Sequence, residues 1–399
     1  MDRGQTCGQR HAKGGGSAPA VRPNAMLTKQ ALDHRAPDFS GYARGLFSRG
    51  MADMIKSVAA SLVLAMFAWS SHAADIDVDI RIAGPVVKKG LPSGSGMTWH
   101  AGRYFVVGDD SPYLFTLNRK FAITDRSMLQ DSPVQQNGRI AKDIKPDYEA
   151  MATVVWNGAV WNLILGSGGK RGTREAGLLV PTDGKSAPHR RDMAVLYRDF
   201  AALAGFKGGQ AVNIEALALT HDDAYFFNRG NAVRNIVFKV ALSDLMAYMT
   251  GKADKIADIR LHEAMLPRLM GIEAGFSGAD YWPEMESLVY TASVEGSGNA
   301  YDDGAVLGSY LGLIPLSMLM EGAPLDLTRS AQRVSKAGAP LKTKVESIAL
   351  THTGRRRATG AMVSDNDDGS SEFFDVVLTI KPAPPRYADG TRPQKMSGH

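Results

Sequence analysis

From Asp75 onward the chain is a succession of short runs, alternating apolar and polar or wholly apolar, broken by Gly, Asn and Asp. That period of two predicts β-strands, and long amphipathic helical stretches are few. One phrase recurs five times: a Ser or Glu opens an apolar strand, a turn follows, and a second apolar strand ends in polar residues. The copies are Gly94-Ser95-Gly96-Met97 leading to YFVVGDD, Tyr148-Glu149-Ala150-Met151 leading to VWNLILGSGG, and Ile214-Glu215-Ala216-Leu217 leading to AYFFNRGN. Phe276-Ser277-Gly278-Ala279 leads to SLVYTASVEG, and Val345-Glu346-Ser347-Ile348 leads to GAMVSDNDDG. The openers are 54, 66, 62 and 69 residues apart. Each copy runs on into a third strand (YLFTLN, AGLLVPT, NIVFKVAL, LGSYLGLI, FFDVVLTI), and four show a weaker fourth, such as MAVLYRDF or KIADIRLH.

Four antiparallel strands per repeat make the blade of a β-propeller, so the expected fold is all-β, one propeller of five blades over residues 74–380. Six blades stay open if residues 181–210 or 241–272 hide another sheet, and a β-sandwich is the competing architecture. The last copy has only three strands. The unassigned N-terminal strand DIDVDIRI, residues 75–82, is expected to pair with FFDVVLTI and complete it, closing the ring and removing two sheet edges. The Pro-rich tail, residues 381–399, is expected to be disordered.

The charge pattern changes what such a propeller could bind. The formal charge is +5, but residues 1–73 hold nine Lys/Arg against four Asp/Glu, and the rest holds 37 of each sign. Nucleic-acid binding thereby loses its support. Residues 51–73 read as a signal peptide: Lys56, an apolar stretch from Val58 to Trp69 too short to span a bilayer, and Ser71-His72-Ala73 before cleavage near Ala73–Ala74. Residues 1–50, Gly/Ala/Arg-rich and aperiodic, read as a disordered or spurious extension. Cys7, the only cysteine, lies in that extension, so the mature chain has no disulfide, thiol nucleophile, thiolate metal site or lipid-attachment cysteine. A periplasmic or secreted protein, free of the membrane after cleavage, is expected. Its oligomeric state is open.

Propeller geometry turns the repeat into a site. The start of each innermost strand, the end of the second and the loop to the third share one face. There the sequence places Ser95, Glu149, Glu215, Ser277 and Glu346 as openers. Asp109, Asp110, Ser167, Asn228, Arg229, Glu295, Asp365, Asn366 and Asp367 stand at second-strand ends. Lys170, Arg171, Arg174, Asn231, Arg234 and Asn299 follow in the loops. Carboxylates so close repel and need a positive partner. Either the arginines supply it, or a hard cation does, and Ca²⁺ takes the oxygen ligands on offer. Zinc is disfavoured, because His100, His221 and His352 fall on the opposite-face turns. The DNDDG run at 365–369 lacks the closing Glu of an EF-hand, having Val376 there. No GxSxG elbow, P-loop or GxGxxG in strand-to-helix context is present, and no histidine is placed to activate Ser95 or Ser277. An enzyme here would use metal-activated water with carboxylate acid/base help.

The segments SGMTWHAGRYFVVGDDS, NIEALALTHDDAYFFNRGN and VESIALTHTGRRRATGAMVSDNDD resemble the phytase-like, esterase-like propeller proteins of bacteria over residues 94–380. The resemblance implies Ca²⁺-dependent hydrolysis of phosphate esters or related small anionic esters on the polar face. Carried across, Asp109, Glu149, Glu215, Glu295, Glu346 and Asp365 would hold metal, with Glu149, Glu215 and Glu346 as catalytic carboxylates. Lys170, Arg171 and Arg229, with Asn231, Ser95 and Ser277, would hold the substrate. The dense run of channel aspartates of a multi-calcium site is thin here. A propeller that binds a ligand or a protein through the same mouth without catalysis is the other reading.

Overall fold

A computed structural model describes residues 77–381 except 136–137, 185–186, 231–232, 297–303, 320–322 and 367. The segments read as extension, signal peptide and, past Lys381, tail lie outside the described residues. Five antiparallel sheets follow one another along the chain. Blade 1 comprises Gly94–His100, Arg103–Gly108, Tyr113–Leu117 and Ile123–Met128; blade 2 comprises Tyr148–Trp156, Ala159–Gly166, Ala176–Pro181 and His189–Asp192. Blade 3 comprises Ile214–Leu219, Asp223–Asn228, Asn235–Ala241 and Arg260–Met265, with Leu325–Asp326 added in parallel at its rim. Blade 4 comprises Gly275–Trp282, Ser287–Glu295, Val306–Pro315 and the short Gln332–Arg333. Blade 5 comprises Lys344–Gly354, Arg357–Asp365 and Ser371–Ile380, and its fourth strand is the N-terminal Val78–Lys88. The predicted closure is present: Val78 faces Ile380, and the register runs to Lys88 opposite Ser371 with one irregularity after Ala83.

Each innermost strand packs against those of both neighbouring blades. Five hydrophobic cores result, one at each blade–blade interface, and the one joining blades 1 and 5 (Met97, Val106, Phe115 with Ala349, Val363, Phe373) completes the ring. Near the axis the inner strands come too close for ordinary side chains. The residue after each opener is small in every repeat: Gly96, Ala150, Ala216, Gly278 and Ser347. A Cβ on Gly96 would lie 2.9 Å from the Met151 Cβ, and one on Gly278 would lie 2.7 Å from the Ser347 Cα. Blade 5 is tied to blade 1 there as well, the Met97 N–H donating to Ser347 Oγ at 3.2 Å.

The two long inter-strand stretches hold helices rather than a sixth blade. MAVLYRDF, expected as a strand, is mostly helix α1 (Ala194–Leu203), and the fourth strand of blade 2 is the preceding His189–Asp192. Met193, Leu196, Tyr197 and Phe200 recur at helical spacing, and all four are buried against blades 2 and 3. Helix α2 (Leu242–Met249) packs Leu245, Tyr248 and Met249 into the same core, where Phe200 stacks on Phe238 with centroids 4.3 Å apart. KIADIRLH contributes its last three residues to the strand Arg260–Met265. Among the described residues no helix is long and apolar enough to cross a membrane.

Candidate functional site

The polar openers occupy a repeated backbone irregularity. All five innermost strands carry a bulge at or beside the opener: between Gly94 and Met97, Tyr148 and Ala150, Ile214 and Ala216, Phe276 and Gly278, and Val345 and Ser347. A bulge inserts one residue without a cross-strand partner and re-aims its side chain. Here that residue is Glu149, Glu215, Ser277 or Glu346, and in blade 1 the Ser95-Gly96 pair. The position two residues upstream adds a second polar group in four blades: Ser93, Asp147, Asn213 and Lys344.

On the side of blades 3 to 5, the carboxylates are closed by cations. Arg229 is 5% exposed, and its guanidinium lies 2.9 Å from Glu295 Oε1, 3.3 Å from Glu215 Oε2 and 3.9 Å from Glu346 Oε2. Its Nη2 also donates to Ser293 Oγ at 3.0 Å. Lys344 Nζ bridges Glu346 Oε1 at 2.9 Å and Glu295 Oε1 at 3.3 Å. Asn213 donates to Glu215 Oε1 at 2.6 Å, and Asn228 holds the Asn213 backbone N–H at 2.7 Å. Burial raises the Glu295 carboxyl, but Arg229 and Lys344 outweigh it, so the group titrates below its ordinary range. Burial dominates for Glu215, which is pushed up to about 7 despite Arg229, with Glu346 adding repulsion. Burial raises Glu346 too, against both cations.

On the side of blades 1 and 2, one carboxylate is left over. Lys145 Nζ sits on Asp109 and 2.8 Å from Asp147 Oδ1. Asp147 Oδ2 also accepts from Arg174 Nη1, at 2.7 Å, and from Ser167 Oγ. Glu149 makes no hydrogen bond or close ion pair with any described residue, and burial, then Glu215, Asp147 and Asp109, raise its carboxyl well above the usual range. Oxygens of Asp109, Asp147 and Glu149 lie within 4.8 Å of one another. The buried Asp109 Oδ1 has no hydrogen-bond partner. Burial acts against the Asp109 carboxylate, but Lys145, then Lys344 and Arg139, hold its pKa down.

A third group sits behind blade 1. Arg139 pairs with Asp110 at 2.5 Å and donates to Ser93 Oγ at 3.1 Å, with Asp365 adding to the field on it. Burial and Asp109 push Asp110 up to about 6.

The residues that the sequence grouped as one metal set divide by ion-pair partner, although Glu215 still acts on Glu149. Asp109 and Glu149 converge; Glu215, Glu295 and Glu346 belong to the Arg229–Lys344 network; Asp365 lies by Arg139. Of the expected substrate contacts, Arg229 is paired with Glu215 and Glu295, Lys170 donates to the Asp143 carbonyl at 2.7 Å, and Arg171 is exposed. Ser277 bonds Thr291 Oγ1 at 3.1 Å, and Ser95 donates to the Ser93 carbonyl at 3.1 Å. Asn231, Asn299 and Asp367 lie outside the described residues. Lys145, Asp147, Arg139 and Lys344 were missed. Asp147 and Lys344 carried a signal, standing two residues before an opener, whereas Lys145 and Arg139 come from a connection without a repeat.

Fold and site together define a closed five-bladed propeller with a carboxylate-rich axial mouth. The chain belongs to a family of unknown function, DUF6929, whose model matches residues 90–378. None of the curated proteins compared with the chain matches it. Among solved structures it is similar to the glutaminyl cyclase of Myxococcus xanthus, at 12% identity and TM-score 0.40, over 77% of this chain and 99% of that one. It is also similar to an α-L-arabinofuranosidase of Podospora anserina (10%, 0.40, 76% and 98%) and an endo-arabinanase of Bacillus licheniformis (9%, 0.37, 72% and 93%). These likenesses are distant, and no residue role is carried across from them.

Proposed function

We propose that the chain is an exported hydrolase of phosphate esters or related small anionic esters, acting at the blade 1–2 side of the mouth. One observation supports it most: Asp109, Asp147 and Glu149 bring three oxygens within 4.8 Å, no ion pair with a described residue reaches Glu149, and the buried Asp109 Oδ1 lacks a hydrogen-bond partner. Oxygens about 2.4 Å from a common centre span at most about 4.8 Å, so the set fits Ca²⁺, which takes hard oxygen ligands. Bound there, such a cation would polarise an ester oxygen and acidify a water. The protein's own groups set the stage. Ser167 and Arg174 fix Asp147, Lys145 neutralises the pair when no other cation is present, and Lys170 and Arg171 offer positive charge for an anionic group.

The binding module is favoured by a different observation. Arg229 and Lys344 are each bracketed by buried acids, so that side of the mouth is closed by ion pairs and offers no cation to a phosphate.

A phosphatase and esterase panel run on the purified protein with Ca²⁺ and with chelator separates the two. The hydrolase reading expects turnover that chelator abolishes and that Glu149→Gln lowers about 100-fold or more, the scale of a positioned carboxylate. Absence of turnover on every ester class leaves the binding module. Export predicts a mature N-terminus near Ala74, which mass spectrometry of the native protein reads directly.

A further inference from the structure

At the opposite end of the axis, all five inner strands surround a second space of about 240 Å³. It shares no residue with the mouth described above. Its only carboxylate is Asp280, from blade 4, and no Lys or Arg lines it. Asp280 is held in place by the backbone: its Oδ1 accepts the Tyr281 N–H at 2.8 Å and its Oδ2 the Leu350 N–H at 2.7 Å. No described cation forms an ion pair with it. Burial pushes its carboxyl up to about 6, the signature of a desolvated acid without a counter-charge.

Across the space, blade 2 presents polar atoms without partners. Thr153 lines it, and its buried Oγ1 has no hydrogen bond. Directly opposite Thr153 in the ladder, the fully buried Asn162 accepts from Thr98 Oγ1 at 2.9 Å, but its Nδ2 is also unpartnered. Buried polar atoms left without partners are destabilising, so such groups are normally met by a ligand or water. Of these groups, Thr153 and the uncompensated Asp280 carboxylate line the cavity itself, and Asn162 stands behind Thr153 in the sheet.

We propose that this lower cavity binds a small organic ammonium ion. The ammonium group donates to Asp280, which supplies the opposite charge, and to the Thr153 hydroxyl. The alkyl portion rests on Met97, Met151 and Leu217, which line the same space. The volume admits a molecule of a few heavy atoms, below the usual range of roughly 300–1,000 Å³ for drug-sized ligands.

Ligand-observed NMR on the full chain with ethylammonium chloride tests this, with ethanol as the neutral probe of the same shape. Saturable binding is expected near the millimolar range typical of so small a ligand, about 4 kcal/mol at 1 mM, with none for ethanol. Asp280→Asn is expected to weaken it at least about tenfold, the loss of one charge-assisted bond, while Glu149→Gln leaves it unchanged. If Asp280→Asn fails to fold, Thr153→Val decides, because it leaves the Asp280 anchors intact; a weakening of about threefold or more supports the site. Equal binding of ethanol, binding unchanged in both variants, or loss in Glu149→Gln would each overturn it.

Discussion

The two sides of the upper mouth have similar composition and share out their cations differently. On the blade 3–5 side, Glu215, Glu295 and Glu346 share Arg229 and Lys344; on the blade 1–2 side, Asp109, Asp147 and Glu149 share Lys145 and Arg174. Three acids to two cations is the ratio in both. In the first network every acid lies within 3.9 Å of a cationic nitrogen. In the second, Asp147 takes both cations and Glu149 takes neither. Stoichiometry therefore says little about function; the distribution of partners says more. One side is closed by ion pairs between blades, and the other leaves Glu149 without one among the described residues.

The comparison breaks most visibly if the central cation of the closed side is removed. Arg229→Ala leaves three buried acids with Lys344 alone, and breaking a buried pair costs about 3–5 kcal/mol. Denaturant unfolding should show that loss, and added Ca²⁺ should not restore it. A cost under about 1 kcal/mol would mean that the network is not a clamp.

The pH profile comes next. Glu215 titrates near 7 in the folded protein against an ordinary carboxyl value of 4.5. A raised acid disfavours folding while ionised, so its penalty is full above pH 7 and vanishes as pH falls through 7 toward 4.5. The gain is of the order of 3 kcal/mol at about 1.4 kcal/mol per unit. Asp109 and Glu295, whose values are depressed, lose their contribution only at more acid pH. Melting temperature should therefore rise from pH 8 to pH 5, and Glu215→Gln should remove only its own share of that rise, because Glu149, Glu346, Asp110 and Asp280 are raised as well. A profile that falls over this window would contradict the assignment.

Lys145→Ala should cost less, about 1–3 kcal/mol, because Asp147 keeps Arg174 and Ser167 while Asp109 loses its close cation. Unlike the loss at Arg229, this one should be recovered by Ca²⁺, since without Lys145 the cation no longer competes with an ammonium for Asp109 and Asp147. Failure of Ca²⁺ to raise its melting temperature would argue that Lys145 is a fixed structural partner.

The ring itself was legible in the chain because its signal is periodic. Opener, small residue, turn and polar strand end recur at Ser95, Glu149, Glu215, Ser277 and Glu346, and the described part of DIDVDIRI, from Val78, fills the gap that FFDVVLTI left open. MAVLYRDF misled because Met193, Leu196, Tyr197 and Phe200 satisfy helical spacing inside a stretch of eight residues whose neighbours are strands. The site was legible as a set of positions but not as a set of pairs. Ring symmetry places the three opener glutamates on one axis; it does not reveal that Arg229 and Lys344 reach two of them and leave Glu149 bare. Lys145 and Arg139 come from the connection between blades 1 and 2, where no repeat constrains the reading.

Calorimetric titration of Ca²⁺ into the wild-type protein, Glu149→Gln and Glu346→Gln tests the asymmetry of the mouth most directly. The wild-type and Glu346→Gln proteins should bind one equivalent with similar affinity, and Glu149→Gln should lose that binding. No Ca²⁺ binding by the wild type, or equal loss in both variants, would contradict the division of the mouth into a closed clamp and an open cation position.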